Sequence, residues 1–151
     1  MAEPLNDVEQ RSWRTFIESS WALHTHLEDE LRAATGLSMN DYHVMVVLSE
    51  APGRRLRMGE LAGRLVFSPS RITYQISSMV KRGLVLKQSC PEDGRGQEAV
   101  LTDEGLAALQ AAAPLHLATV RENFMDDLDD AEIAVITRVF DRLGPRLRAS
   151  A

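Results

Sequence analysis

The sequence contains a single cysteine, Cys90, among its 151 residues. One thiol cannot form an internal disulfide, and such sparse use of cysteine fits a reducing compartment. No run of about 18 apolar residues is present, which argues against a membrane span. The acidic and polar start, MAEPLNDVEQRS, shows no basic-then-apolar signal peptide. These absences predict a cytoplasmic protein without a membrane partner.

The sequence also lacks the motifs of the common catalytic sites. It contains no glycine-rich phosphate loop, nucleophile elbow or metal-hydrolase motif, and the isolated Gly-Arg-Gly at 94–96 is not a nucleotide fingerprint. The four histidines show neither the H-x-x-x-H spacing nor a neighbouring cysteine cluster that would indicate a metal site. We therefore expect no enzymatic activity, no cofactor and no bound metal.

Positive charge is scarce in the chain as a whole but concentrated in its middle. The formal net charge is −5, yet residues 54–101 hold nine Lys/Arg and four Asp/Glu, a net of +5. The remaining residues therefore carry −10. A basic segment on an acidic body is typical of a nucleic-acid-binding face, although a chance fluctuation in surface charge is the alternative.

Helical periodicity dominates the sequence, with 44% hydrophobic residues available for a core. Apolar residues recur at steps of three and four over 9–35, which predicts a long helix that ends at Gly36. Ser38, with Asp41 three residues later, predicts the N-cap of a short buried helix that ends at Ala51-Pro52-Gly53. A further helix is expected over 58–67, with Leu61, Leu65 and Val66 inward. Another is expected over 103–128, which Pro114 should kink but not end. The last helix is expected from about Asp129 onward.

The central segment predicts a helix-turn-helix followed by a hairpin. Ser68 is a good N-cap and Pro69 suits the first helical position, so a second short helix should bury Ile72, Ile76, Met79 and Val80. Residues 84–89 and 98–101 predict two strands joined by PEDGRGQ, and Arg54–Arg57 an edge strand. Thr102 should cap the helix that follows. The fold class is mainly α with a small antiparallel β wing, a winged helix-turn-helix with flanking helices.

This arrangement suits DNA, because the major groove admits one helix and a wing can reach the adjacent minor groove. The outward side of the second helix carries small and polar groups beside its N-terminus, where Gln75 could pair with adenine and Arg71 with guanine or phosphate. At the wing tip, Gly94 and Gly96 allow a sharp turn, and Asp93 could hold Arg95 for insertion into a narrow groove. An ordinary solvated helix face and an incidental Asp–Arg contact are the alternatives.

The flanking helices predict a dimer. Their apolar stripes, which include Trp13, Ile17, Ile133 and Phe140, exceed what one small lobe can cover, although an all-monomer helical core is the alternative. A second copy would bury them, and a two-fold axis would match two DNA half-sites one turn apart.

The block SPSRITYQISSMVKRGLV, the Asp93-Gly94-Arg95 tip and the LTDEG that begins at Leu101 resemble the multiple antibiotic resistance regulator (MarR) family over nearly the whole chain. The resemblance implies one winged-helix domain over 1–151, with dimerisation helices at about 9–35 and 103–147 and a DNA-binding lobe at about 38–101. It implies a homodimeric transcriptional regulator, a repressor, on palindromic double-stranded DNA. The DNA-binding residues that it implies are Ser68, Ser70, Arg71, Thr73, Tyr74, Gln75, Lys81, Asp93 and Arg95. Many relatives carry a second basic residue where this chain has Gly96.

The resemblance also implies an effector, because many members of the family release DNA on binding a small ligand or on oxidation. A ligand pocket between the dimerisation and DNA-binding lobes would be lined by Trp13, Trp21, His24, His43 and His116. Cys90 is expected to be a half-buried strand residue rather than a redox sensor, since Glu92 and Asp93 oppose thiol activation. The remaining alternative is a winged-helix protein-interaction module without specific DNA binding.

Overall fold

The computed structural model describes residues 3–92 and 94–149. These residues form helices and a small sheet in the order α1 (Asp7–Thr35), α2 (Met39–Glu50), β1 (Arg55–Arg57), α3 (Met58–Leu65), α4 (Pro69–Lys81), β2 (Val85–Ser89), β3 (Gln97–Leu101), α5 (Asp103–Asn123) and α6 (Asp130–Ala149). Short 3-10 turns at Pro52–Arg54 and Met125–Asp127 connect neighbouring elements. The predicted fold class, a mainly helical chain with a small antiparallel wing, is confirmed. Within the described ranges, no helix has the length and apolar character that crossing a membrane requires.

Side-chain caps determine where several helices begin. At Ser38, the hydroxyl accepts from the Asp41 N–H at 3.0 Å and the Asp41 carboxylate accepts from the Ser38 N–H at 2.9 Å, which confirms the predicted capping box. Asn6 and Glu9 form an equivalent box, so α1 begins at Asp7, two residues before the predicted start. Gly36 ends α1 with a φ of 74°, as predicted.

The last two helices divide differently from the prediction. Helix α5 continues through Pro114 but ends at Asn123 instead of reaching Leu128, because Phe124 has non-helical dihedrals (φ −148°, ψ −58°). Helix α6 begins after Asp129, whose side chain accepts from the Glu132 N–H at 2.8 Å, while the Glu132 carboxylate accepts from the Asp129 N–H at 3.0 Å. The predicted start of the last helix is therefore confirmed.

The sheet is antiparallel with the order β1–β3–β2, so β1 is the predicted edge strand. Ala99 of the central strand is aligned with Leu56 of β1 on one side and with Lys87 of β2 on the other. Strand β2 starts at Val85 and β3 at Gln97, each one residue from the predicted boundary. The hairpin of β2 and β3 is the wing.

The core lies between α2, α3, α4 and the sheet. Its fully buried side chains include Val44, Met45, Leu48, Leu61, Ile76, Met79 and Val85. Two predicted core residues are exposed: Val66 (46%) ends α3 in a left-handed conformation, and Val80 (38%) lies at the edge of the buried stripe of α4. The core therefore supports α4 from beneath.

Much of the apolar surface of α1 and α6 remains uncovered within one chain. Trp13 is 54% exposed and Phe140 is 40% exposed, although Phe16 packs between them with ring centroids 6.2 Å from Trp13 and 5.5 Å from Phe140. Ile133, Ile136 and Leu143 of α6 are likewise only partly buried. An aromatic surface of this kind is unfavourable in water unless another molecule covers it.

Candidate nucleic-acid interface

The turn between α3 and α4 fixes the direction of α4. Val66 adopts φ 56° and ψ 42°, a left-handed conformation that costs a β-branched residue about 1–2 kcal/mol. The Phe67 N–H donates to the Ala62 carbonyl at 2.9 Å, and the Ser68 hydroxyl caps α4 by accepting from the Arg71 N–H at 3.2 Å. Ser68 and Pro69 thus begin α4 as the sequence predicts, and the pair α3–α4 is a helix-turn-helix.

Helix α4 has one buried face and one open face. Ile72, Ile76 and Met79 are at most 2% exposed. The opposite face is solvent-exposed and carries Ser70, Thr73, Tyr74, Ser77 and Lys81. Sequence reasoning named all of these except Ser77, which the helical period places beside Ser70, Thr73 and Tyr74. Because Tyr74 is 77% exposed and its neighbours are short, this face can approach another surface closely.

A third side of α4 faces the N-terminus of α2, and this stripe carries Arg71, Gln75, Ser78 and also Arg82, the residue directly after the helix. The Arg71 guanidinium lies 3.9 Å from the centroid of the Phe67 ring, and its Nη2 is 3.5 Å from Oδ1 of Asn40. Arg71 is therefore held against the helix-turn-helix by a cation–π contact, while its side chain remains exposed.

Asp41 is the centre of this stripe and is only 3% exposed. Its Oδ1 accepts from Gln75 Nε2 and from Arg82 Nη2, both at 2.6 Å, and its Oδ2 accepts from Arg82 Nη1 and the Ser38 N–H, both at 2.9 Å. Burial alone would raise the pKa of Asp41, but the hydrogen bonds from Arg82 and Ser38 outweigh it and the pKa is lowered. The same ion pair raises the pKa of Arg82.

The wing presents an arginine beside the helix-turn-helix. Its loop is closed by hydrogen bonds from the Cys90 N–H to the Gly96 carbonyl at 2.9 Å and from the Gly94 N–H to the Cys90 carbonyl at 3.0 Å. Gly94 has a φ of 63°, whereas Gly96 lies outside the positive-φ region, so the predicted special backbone is found only at Gly94. The Arg95 side chain is exposed at the tip. Asp93, predicted to orient it, lies outside the described residues.

Polar contacts hold the base of the wing to the rest of the lobe. Glu98 of β3 is 6% exposed and its Oε1 accepts from Gln88 Nε2 at 2.7 Å and from Arg55 Nη1 at 3.4 Å, so it links all three strands. At the end of β3, the Thr102 hydroxyl donates to the Gly83 carbonyl at 2.6 Å and accepts from the Gly105 N–H at 2.9 Å. The wing and the start of α5 are thus fixed to the end of α4.

Cys90 lies directly after β2 and is 4% exposed. The expectation of a half-buried strand residue is wrong in detail, because Cys90 is almost fully buried and follows the strand. The two hydrogen bonds that close the loop, at 2.9 and 3.0 Å, both involve its backbone.

Ring contacts connect only some of the predicted ligand-pocket residues. The Tyr42 ring lies 4.6 Å from the His116 ring and 6.5 Å from the His43 ring, centroid to centroid. Burial lowers the pKa of His43, with a further decrease from the charge of His24, and lowers that of His116, with a further decrease from His43. These three histidines therefore share one region of the molecule.

The two tryptophans do not join this group by any described ring contact. Trp13 packs on Phe16, and Trp21 is 66% exposed. In the part of the chain that the structure describes, no three His, Cys, Asp or Glu side chains converge as a metal site would require.

Comparison with known proteins decides the family. The sequence profile of the MarR family matches residues 35–96, the stretch from the end of α1 to the wing tip. The chain is 30% identical over 121 residues to the HTH-type transcriptional repressor YetL of Bacillus subtilis, covering 78% of this chain and 72% of YetL. The chain belongs to the MarR family.

Solved MarR structures agree with this assignment along the whole chain. The crystal structure of AbsC, a MarR family transcriptional regulator from Streptomyces coelicolor, superposes with a TM-score of 0.92 at 38% identity, covering 98% of this chain and 99% of AbsC. Sco3205, a MarR family regulator from the same organism solved in complex with DNA, superposes with a TM-score of 0.92 at 35% identity, covering 95% and 90% of the two chains.

Proposed function

We propose that this MarR-family chain is a sequence-specific transcriptional regulator, a repressor, that binds palindromic double-stranded operator DNA as a homodimer. The observation that carries the proposal is the open polar face of α4 in one lobe with a wing whose Arg95 is exposed. The solved DNA complex of Sco3205 and the repressor name of YetL support it. Such a regulator acts by binding rather than by catalysis, and in the cytoplasm, where bacterial DNA lies.

The open face of α4 suits the major groove. Short side chains at Ser70 and Thr73 allow the helix to approach the base edges closely, and Tyr74 and Lys81 extend the contact toward the DNA backbone. Ser68 begins the helix, whose N-terminus is the positive end of the helix dipole and would stabilise a phosphate. Arg71 and Gln75 lie at the edge of this face. From there Arg71 could reach guanine or a phosphate, and Gln75 could reach adenine.

The wing supplies the second contact. Its arginine suits a narrow minor groove, whose negative potential is strongest over A·T-rich DNA. Gly96 follows Arg95, where many relatives carry a second basic residue, so the affinity of this wing should depend on one arginine per protomer.

The uncovered aromatic surface of α1 and α6 supports the homodimer. Trp13, Phe16 and Phe140 form one contiguous group with ring centroids 5.5–6.2 Å apart, and each is at least 40% exposed in the single chain. A second copy would cover this surface, and its two-fold axis would place two recognition helices about one DNA turn apart. This pairing explains why the operator should be palindromic.

A small-molecule effector would act near His24, His43 and His116. These residues lie in α1, α2 and α5, and α2 also carries the residues that hold α4. His116 Nδ1 is buried and has no hydrogen-bond partner, so a ligand with a donor or acceptor group would satisfy it. The proposed effector site therefore uses three of the five predicted pocket residues and leaves out Trp13 and Trp21.

A binding titration with Arg95→Ala tests the wing. The probe is the DNA that the wild-type protein enriches from a random pool, titrated at several salt concentrations by gel shift. We expect weaker binding and a salt slope reduced by about two per dimer, because each protomer loses one cation at the DNA.

The matched control is Arg121→Ala, which removes the same charge near the far end of α5, where Arg121 pairs with Asp126 at 3.2 Å. Position 121 is 18 residues beyond the wing end of this helix, about 27 Å away. Equal effects of the two substitutions, or no effect of Arg95→Ala, would exclude a specific wing contact. A chain that binds no DNA at all would instead favour the protein-interaction module.

A further inference from the structure

Asp41 lies beneath α4, the proposed recognition helix, and contacts Gln75 within it and Arg82 directly after it, seven positions and therefore about two turns apart. Gln75 Nε2 donates to Oδ1 at 2.6 Å, and Arg82 approaches end-on with both terminal nitrogens, at 2.6 and 2.9 Å. Asp41 itself is anchored at the start of α2 by its capping box with Ser38. One buried carboxylate thus connects α2 to the middle and the end of α4.

The hydrogen-bond capacity of this carboxylate is fully used. An ionised carboxylate only accepts and has about four acceptor positions. Here each oxygen accepts two bonds: Oδ1 from Gln75 and Arg82, and Oδ2 from Arg82 and the Ser38 backbone. Because Arg82 supplies the matching positive charge, the carboxylate adds little repulsion toward a nearby phosphate.

This arrangement determines how the Gln75 amide is oriented. Since Asp41 cannot donate, the amide nitrogen of Gln75 must point toward it, and the carbonyl Oε1 must point away. The amide nitrogen carries two hydrogens, so one remains available after the bond to Asp41. Gln75 is only partly buried and lies beside the exposed Tyr74, so its remaining groups are close to the open face.

We propose that Asp41 is a positioning residue for base recognition, which fixes the Gln75 amide so that Oε1 and the second N–H face the DNA. This inference rests on the proposed DNA-binding function. Adenine presents an N6–H donor and an N7 acceptor in the major groove, which match Oε1 and the free N–H of Gln75, respectively. Without the carboxylate, the amide can rotate and present donor and acceptor in either order, and the preference for adenine is lost.

The test compares binding to the selected operator and to its single-base variants for wild type, Asp41→Asn, Gln75→Ala and the double variant. The charge-matched control is Asp126→Asn, at the exposed ion pair with Arg121. We expect Asp41→Asn and Gln75→Ala to lose the same discrimination, about tenfold or more at one base pair per half-site, because a bidentate base contact contributes roughly that factor. The double variant should lose no more discrimination at that base pair than Gln75→Ala alone.

Two results would overturn the proposal. One is an Asp41→Asn protein that binds all variants more weakly by the same factor and keeps the wild-type base preference, which would mean that Asp41 only stabilises the lobe. The other, which does not depend on the variant folding, is a structure of the wild-type protein on its DNA in which Gln75 Nε2 has left Asp41. If the wild-type protein enriches no DNA motif, the proposed function is contradicted as well. If it enriches a motif and the Asp41→Asn protein keeps the wild-type base preference, only the role of Asp41 is contradicted.

Discussion

Replacement of Gly105 by alanine should destabilise the junction between the wing and α5. A β-carbon built at Gly105 would lie 2.1 Å from the Leu84 carbonyl oxygen and 2.7 Å from Cδ1 of Leu101. An ordinary carbon–oxygen contact is about 3.3 Å, so the start of α5 and the backbone at Leu84, directly before β2, would have to separate by about 1 Å. The same Leu84 oxygen accepts from the Thr102 N–H at 3.2 Å and, at 3.0 Å, shares the single hydroxyl hydrogen of Thr102 with the Gly83 carbonyl. Both contacts with Leu84 would be lost or weakened.

The expected magnitude follows from these contacts. Overpacking costs about 1–3 kcal/mol and each weakened hydrogen bond about 1 kcal/mol, while the better helix propensity of alanine returns up to about 1 kcal/mol. We expect a net loss of about 2–4 kcal/mol in the free energy of unfolding, and a melting temperature lower by about 10 °C. Urea and thermal denaturation should be compared at one protein concentration, because dimerisation would contribute to stability.

Gly63 provides the matched control within α3. A β-carbon there meets no atom within 4 Å, so Gly63→Ala should be neutral or stabilising by up to about 1 kcal/mol. A Gly105→Ala protein as stable as wild type, or equal losses for both substitutions, would refute the packing argument.

Two further predictions concern pH and thiol reactivity. Burial lowers the pKa of His43 and His116 in the folded protein. As the pH falls through the ordinary histidine pKa of 6.5, the unfolded chain therefore binds protons before the folded one does. The free energy of unfolding should decrease between about pH 7.5 and 5.5. His116→Gln should remove part of this decrease in urea denaturation, and an unchanged pH dependence would contradict the assignment. Cys90, at 4% exposure, should react with a thiol reagent about tenfold or more slowly in the folded protein than in denaturant, and equal rates would show that the wing loop is open.

Sequence reasoning located the elements of the lobe because their signals are local. Ser38, Ser68 and Thr102 each cap a helix through a backbone N–H three residues later, and this information lies within four consecutive residues. The open face of α4 follows equally from the period of its buried residues. Val66 and Val80 were misplaced because exposure at a helix end depends on which neighbouring element covers it, and the helical period alone does not determine that.

The partner of Gln75 could not be predicted for a related reason. Asp41 lies 34 residues away in sequence, and only the packing of α2 against α4 brings the two side chains together. The same packing makes Arg82 the ion-pair partner of Asp41, whereas in the sequence Arg82 is only one positive charge among several. The contact of Phe16 with Phe140, which continues the pairing of Trp13 with Phe16, likewise depends on how α1 packs beside α6.

The most direct test of the central claim is the selection of DNA by the wild-type protein from a random double-stranded pool. The account predicts enrichment of a palindrome whose half-sites lie about 10–11 base pairs apart, one for each recognition helix of a two-fold dimer. Enrichment of no motif, or of a single half-site bound by one protomer, would contradict it.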